Sequence, residues 1–190
     1  MIIILDNGHG KETPGKRSPI WCDGSQLFEY EFNRDIVKRI SEMLDADNIK
    51  YHVLVPELED ITLQERCIRA NNICDSVGEC VLFSIHANAG GGTGWECYTT
   101  PGQTKADEIA TMLYSFAEKE FNGWKIRKDM TDGDPDKESN FYILRNTKMP
   151  AVLSENFFMD TEKDCRFIMS EVGRRKIANI HYLTIKNILK

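Results

Sequence analysis

The sequence predicts an α/β fold: a single domain in which helices cover both faces of a twisted, mostly parallel sheet. Three observations indicate this class. Short unbroken aliphatic runs are typical of strands buried on both faces, helical apolar stripes lie between them, and polar residues follow the runs directly. With 190 residues, 41% of them apolar, and no composition shift that marks a linker, we expect one domain over residues 1–190.

The strands are predicted from the apolar runs in chain order. The aliphatic runs cover residues 2–5, 81–85 and 151–153. The segment KYHVLV, residues 50–55, is a further candidate, as are WECYT, residues 95–99, and FYILR, residues 141–145. Strands that alternate with helices predict crossover connections and therefore parallel neighbours.

The helices are predicted from apolar residues at helical spacing. Two stripes show it: Phe32, Ile36, Val37, Ile40, Met43 and Leu44 form the first, and Leu63, Cys67, Ala70 and Cys74 form the second. Residues 105–121 and 171–189 are predicted as a third and a fourth helix. His181 lies on the apolar stripe of the last helix and is interpreted as a core residue, and His52, inside a strand pattern, is interpreted in the same way.

Charge and composition argue against nucleic-acid binding and against a disulfide framework. The net charge of −6 argues against binding by phosphate neutralisation, so no nucleic-acid partner is expected. The basic residues 174–176 are interpreted as a solvated helix face. None of the six cysteines are spaced as Cys-x-x-Cys, which makes disulfides weakly supported, and Cys67 and Cys74 are interpreted as small core residues.

The opening MIIILDNGHG places few apolar residues before polar loop chemistry, and it lacks the basic segment of a secretory signal. No run approaches the roughly 18 to 20 apolar residues of a membrane span. We therefore expect synthesis in the cytoplasm without a signal peptide, and no stable membrane insertion.

Polar groups follow three predicted strands at their carboxyl ends, where open α/β sheets bind ligands. His9, His86 and Glu155 should therefore meet at one edge of the sheet. His9 stands between two glycines, whose missing β-carbons let the backbone turn sharply and present the imidazole. Taken alone, the tripeptide GHG fits a turn as well as a ligand.

Helical phase selects an acidic partner for the histidines. In LFEYEFNRDIVKRI, Glu31 falls on the polar face, whereas Glu29 heads the buried stripe and needs a cation or donors to offset its desolvation. Two histidines and one carboxylate, with water in the fourth position, form a catalytic zinc set. Glu155 is then a candidate general base and proton donor; an ion pair or a helix cap before Phe157 is its structural alternative.

Several segments together carry a family resemblance: LDNGHG, the region 29–33, LEDITLQERCIRANN, FSIHANAGGGTGWECY and NFYILRNTKMPAVLSENFFMD. In order and spacing they resemble the zinc-dependent N-acetylmuramoyl-L-alanine amidases of the Amidase_3 type, the catalytic domains of endolysins and autolysins. The resemblance runs from about residue 2 to the last helix. It implies that His9, Glu29 and His86 bind one zinc ion and that Glu155 is the catalytic carboxylate.

Other positions are carried over with less specific roles. Asp6 matches the aspartate of the family's Asp-x-Gly-His-Gly motif and is expected to orient His9. Arg66 and Asn71 match positions in the second helix, where a structural role is at least as well supported. Asn88 matches the HAN position and is a candidate substrate contact.

The chain also departs from the family. Asn7 stands where a proline is common, Phe157 and Phe158 follow Asn156 where a glycine is common, and the segment 11–27 is longer and more irregular than in a minimal member. These departures bear on substrate contacts more than on metal binding.

The activity implied by the resemblance is hydrolysis of the amide between N-acetylmuramic acid and L-alanine in peptidoglycan. A zinc peptidase that cuts within the peptide stem and a non-catalytic wall-binding zinc module are the alternatives. Trp21, Trp95, Tyr98 and the glycines 90–92 are candidates to line an open groove, although packing explains Trp95 and Tyr98 equally well. We expect action on the cell wall, either as a phage or prophage lysin after holin-type release or as a host remodelling enzyme.

Overall fold

The computed structural model describes residues 1–190 and contains one six-stranded sheet. Its strands are β1 (Ile2–Asn7), β2 (Tyr51–Val53), β3 (Cys80–Asn88), β4 (Trp95–Thr99), β5 (Lys137–Glu138) and β6 (Ala151–Phe158). They lie in the order β2-β1-β3-β6-β4-β5, and every neighbouring pair is parallel except β4 with β6. The predicted α/β class with a mostly parallel sheet is confirmed.

Six helices accompany the sheet: α1 (Glu29–Ala46), α2 (Leu63–Val77), α3 (Lys105–Glu120), α4 (Tyr142–Arg145), α5 (Glu162–Met169) and α6 (Glu171–Ile188). The four predicted helices are confirmed, and α5 is an addition. Capping side chains mark several beginnings: Thr104 forms a capping box with Asp107 before α3, and Thr62 accepts a backbone hydrogen bond before α2. None of the helices combines the length and apolar composition of a membrane span.

The predicted strand FYILR is wrong, because this segment forms the single turn α4. Arg145 and Asn146 donate backbone hydrogen bonds to residues four positions earlier. Ile143 and Leu144 are consecutive, and both are buried in one apolar cluster. A helical turn can bury two consecutive side chains on one side, whereas a strand would direct them to opposite faces.

The two faces of the sheet are covered unequally. On one face, α1, α3, α5 and α6 close over a core of 30 buried residues, and on the other, α2 and α4 cover a core of 12. Alternate side chains of β1 enter the two cores: Ile3 and Leu5 the larger, Ile4 the smaller. The smaller cover leaves room for a cavity at the carboxyl end of the sheet.

Two interpretations of surface and core residues need correction. His52 is exposed, because the three-residue strand β2 lies at the edge of the sheet. The basic cluster 174–176 is not a fully solvated face: Arg174 pairs with Asp35 at 3.2 Å, and Lys176 donates to the carbonyl of Glu120 at 2.8 Å. Of the cysteine pair, Cys67 is buried, Cys74 is half-buried and both are free thiols.

Candidate active site

His9, Glu29 and His86 come together at the carboxyl end of the parallel strands. One ligand atom from each lies within 4.8 Å of the others. The Glu29 Oε1 atom is 3.1 Å from His86 Nδ1 and 3.3 Å from His9 Nε2, and it also accepts the Ala87 backbone N–H at 3.2 Å. Glu29 is buried at the first turn of α1, as its helical phase predicts, and Glu31 is exposed.

The backbone of His9 adopts a left-handed conformation, with φ of 64°. The flanking glycines, Gly8 and Gly10, do not make the turn; they allow other segments of the chain to approach the backbone closely. A β-carbon on Gly8 would lie 2.0 Å from Cε1 of His86, and one on Gly10 would lie 2.2 Å from the Asp60 backbone. The expectation that the glycines make the turn is therefore corrected: His9 turns, and its neighbours must lack side chains to let other segments in.

Polar side chains hold the strained His9 segment from below. The His9 carbonyl accepts hydrogen bonds from Arg34 Nη1 at 2.9 Å and Arg66 Nη2 at 3.2 Å, and Asn33 Nδ2 donates to the Gly8 carbonyl at 2.9 Å. A non-glycine residue in this region costs about 1–3 kcal/mol of strain, which these donors offset. The sequence pointed to Arg66 but not to Arg34, which lies among polar residues of α1 with no distinguishing signal.

Asp6 does not contact the His9 imidazole, which corrects the expected orienting role. Its Oδ1 accepts from Arg66 Nη1 at 2.6 Å, and its Oδ2 accepts from the Ser84 hydroxyl at 2.6 Å. Asp6 and Arg66 are each 2% exposed, so their ion pair is buried. Asp6 therefore acts on His9 through Arg66, which bonds the backbone of His9 rather than its ring.

Glu155 lies beside His86 in the parallel register of β3 and β6, and beside Glu96 in the antiparallel register of β4 and β6. Its Oε2 atom is buried and has no hydrogen-bond partner. Burial raises the pKa of the Glu155 carboxyl to about 7; the His86 charge opposes this rise and the Glu29 charge adds to it. A carboxyl that titrates near neutrality can accept a proton and return it within one reaction.

The charges of the three-residue cluster are interdependent. Burial works to raise the pKa of the Glu29 carboxyl, but hydrogen bonds from His86 and His9 outweigh it and hold that pKa well below its usual range. Burial lowers the pKa of His9, and Glu29 offsets this only in part. For His86, burial also works to lower the pKa, but the hydrogen bond to Glu29 raises it above the ordinary value. Glu29 is thus a buried anion between two imidazoles.

The donor set of this cluster fits a zinc ion. The Glu29 Oε2 atom is buried without a hydrogen-bond partner, and the nearest cation is Lys16 Nζ at 3.8 Å. A buried carboxylate oxygen without a donor is costly, which makes a bound cation the simplest complement. Two imidazoles and one carboxylate are a common catalytic zinc set, in which the fourth position stays open for water or substrate.

A cavity of about 400 Å³ opens beside the cluster. His9, His86 and Glu155 line it, together with Lys16 and the rim aromatics Phe141 and Tyr142. The expected groove residues Trp21, Trp95, Tyr98 and the glycines 90–92 do not line it. Trp95 is fully buried and packs edge-on against Tyr114. The cavity opens between the loop after His9 and α4.

Three asparagines have partners that define their positions. Asn88, the candidate substrate contact, donates to Glu96 Oε1 at 2.5 Å and does not line the cavity. Asn71 bridges α2 to the Asn146 carbonyl and the Lys148 backbone N–H, which is a structural role. Asn156 was missed by sequence reasoning: its Nδ2 donates to the His86 carbonyl at 2.9 Å, and its position directly after Glu155 was the available signal.

Comparisons with known proteins decide the family. Residues 3–187 match the family model described as N-acetylmuramoyl-L-alanine amidase. The chain belongs to this family. Among other members, it is 31% identical to the amidase CwlM of Bacillus licheniformis over 94% of this chain and 65% of that protein. It is 27% identical to an endolysin of Bacillus phage SPP1 over 99% of this chain and 66% of that protein. The chain thus spans slightly less than two thirds of the length of each of these two relatives.

Solved structures agree with this family assignment. A crystal structure of an N-acetylmuramoyl-L-alanine amidase from Clostridium difficile 630 is 28% identical to the chain and superposes with a TM-score of 0.80. The match covers 99% of this chain and 96% of the solved one. The predicted fold and the predicted family are therefore both confirmed.

Proposed function

We propose that this chain is a zinc-dependent N-acetylmuramoyl-L-alanine amidase that hydrolyses the amide between N-acetylmuramic acid and L-alanine in peptidoglycan. The observation that carries the proposal is the buried Glu29 carboxylate, which lies between the imidazoles of His9 and His86. Glu155 lines the same cavity as these two imidazoles. Membership of the amidase family and the likeness to the Clostridium difficile amidase support the choice of substrate.

His9, Glu29 and His86 would hold one zinc ion per chain. When bound, zinc supplies a Lewis acid that polarises a carbonyl group and lowers the pKa of a coordinated water. The chain provides the proton transfers: Glu155, whose pKa is about 7, accepts the proton of the attacking water and donates it to the leaving amine of L-alanine. The hydrogen bonds from Arg66 to the His9 carbonyl and from Asn156 to the His86 carbonyl fix the backbone from which the two imidazoles extend.

The Glu155→Gln variant tests this assignment. We expect one zinc per chain by elemental mass spectrometry and a loss of amidase activity of about 10²- to 10⁴-fold, because the amide side chain cannot accept the proton. Glu31→Gln is the matched control, since Glu31 is exposed on α1 and should leave activity unchanged. Normal activity of Glu155→Gln would refute the assigned base.

Product analysis separates the amidase from a zinc peptidase, because the same centre could act on any amide. The amidase exposes the α-amine of L-alanine and leaves a lactyl carboxylate on the glycan, whereas a peptidase exposes an amine further along the stem. A wall-binding module would release neither product, and such a module has no use for a carboxyl tuned to near neutrality at the centre. Loss of the wild-type reaction when a chelator is added, and its return with zinc, completes the test.

For the place of action, we propose the cell wall, which a phage or prophage lysin would reach through a separate holin-type pore. The phage endolysin among the relatives supports this setting, and the Bacillus licheniformis amidase keeps a host remodelling enzyme as the alternative. Peptidoglycan would be the partner in either case.

A further inference from the structure

Lys16 is the one accessible ammonium or guanidinium group that lines the cavity. Arg66 is the other such group, but it is 2% exposed and committed to Asp6 and to the carbonyls of Asn7 and His9. The Lys16 side chain is 41% exposed, and its Nζ atom makes no hydrogen bond; its nearest charged neighbour is Glu29 Oε2 at 3.8 Å. A cation in this position is available to an incoming anion.

The backbone fixes where the Lys16 side chain begins. The Lys16 carbonyl accepts the backbone N–H of Glu29 at 3.0 Å. The next residue, Arg17, forms an isolated antiparallel β-bridge with Phe28. Lys16 therefore enters the cavity directly above the beginning of α1, beside the proposed metal ligand. Its flexible four-carbon stem lets the ammonium move within the cavity without moving the backbone.

Binding of a divalent cation by Glu29 would end the pairing of Glu29 with Lys16. The carboxylate charge would be taken up by the metal, and the metal would repel the ammonium. Apart from the metal, which would polarise the carbonyl of the amide to be cleaved, Lys16 is the one accessible cation along the cavity, whose lining also includes the carboxylates Glu155 and Asp60, so a further carboxylate of the substrate would lie beside Lys16. That place is within a few ångströms of the reacting centre.

We propose that Lys16 binds the α-carboxylate of the second stem residue, D-glutamate, and so makes the enzyme prefer unamidated stems over those with D-isoglutamine. The proposal rests on the proposed function. In an extended stem this carboxylate lies about 7 Å, or two residues, from the amide to be cleaved. A lysine that begins beside the metal ligand can span that distance, whereas the buried Arg66 cannot move toward it.

The test compares two soluble substrates that differ in one group: N-acetylmuramoyl-L-Ala-D-Glu-L-Lys and its D-isoglutamine counterpart. For the zinc-loaded wild type we expect kcat/KM to be about tenfold higher on the acid, the effect of one partly exposed charge-assisted hydrogen bond. Lys16→Met should equalise the two substrates, and Lys16→Glu should reverse the preference. Lys11→Met, an exposed lysine of the same loop outside the cavity, should retain it.

Binding of the peptide products gives a readout that does not depend on turnover. By calorimetry, L-Ala-D-Glu-L-Lys should bind the Lys16→Met variant about tenfold more weakly than the wild type, while the amidated peptide should bind both equally. A wild type without preference, or equal losses on both substrates in Lys16→Met, would overturn the role of Lys16. Failure of the wild type to cut either substrate at L-alanine would instead count against the proposed amidase activity.

Discussion

Two consecutive residues of β6 face two histidines on opposite sides of the sheet, and the pairs differ in what they leave unsatisfied. Ser154 lies on the side of the larger core, where its Oγ is 2.9 Å from His181 Nε2, and the Nδ1 of that histidine is 2.7 Å from the Ile177 carbonyl. Glu155 lies on the other side beside His86, and its Oε2 has no partner. The His181 imidazole has a partner at both nitrogens and is structural. The Glu155 carboxyl has an oxygen without a donor, which is available to accept a proton.

The surroundings of the two histidines explain this difference. Four helices close the larger core over His181, which is fully buried. On the side of His86, α2 and the single turn α4 cover less of the sheet, and buried charge replaces apolar packing near the cavity, as in the pair of Asp6 with Arg66. Stability on the first side thus depends mainly on packing, whereas on the second side it depends on a smaller apolar core and on buried ion pairs.

Replacing each of the two histidines by alanine, in separate variants, is the strongest test of this contrast. His86→Ala should lose bound zinc and reduce amidase activity by more than about 100-fold, because even residues that only support a metal ligand contribute about 10- to 100-fold. His181→Ala should keep one zinc per chain and near-normal activity at temperatures where it is folded. Elemental analysis and a wall-release assay measure both. Loss of zinc from His181→Ala would break the comparison.

Removal of Arg66 should show how much the buried ion pair of Asp6 with Arg66 contributes to the stability of the fold on the side of the active site. Arg66→Met should lower the free energy of unfolding by about 3–5 kcal/mol, since it leaves the Asp6 charge buried and unpaired. Urea denaturation measures the loss. Arg69→Met is the control on the same helix: its partly exposed pairs with Glu57 and Glu65 should contribute no more than about 1 kcal/mol. Equal effects of the two variants would contradict the difference in burial.

His181 should also make the stability of the protein decrease at acidic pH. Burial lowers the pKa of His181 to about 4 from the ordinary 6.5, so between these values the unfolded chain binds a proton that the folded chain refuses. Its contribution to stability is therefore complete above pH 6.5 and is lost as the pH falls toward 4, by about 3 kcal/mol.

The matched variant for this acid dependence is His181→Gln, because glutamine does not titrate. Denaturation at pH 7.5, 6 and 5 should show a smaller loss of stability in the variant than in the wild type, although the variant is the less stable protein at pH 7.5. Parallel pH curves for the two proteins would show that other groups cause the acid loss.

The sequence by itself determined the fold class, the four long helices and the residues that converge at the strand ends. These features were predictable because hydrophobic periodicity reports burial locally, and because carboxyl ends of parallel strands share one edge. The same logic identified Glu29 rather than Glu31, since the phase of one helix places only the former toward the sheet. His181 on its apolar stripe is likewise confirmed as a core residue.

Only the tertiary structure decided what the side chains around those residues contact. Asp6 and Arg66 are 60 positions apart, and Asp6 and Ser84 are 78 apart, so no local pattern shows that Asp6 supports Arg66 instead of the His9 ring. The helical turn at α4, the need for Gly8 beside the His86 ring and the place of Lys16 at the cavity also depend on segments distant in the chain. Periodicity encodes which way a residue faces, but the partner it meets there is set by the packing of the whole fold.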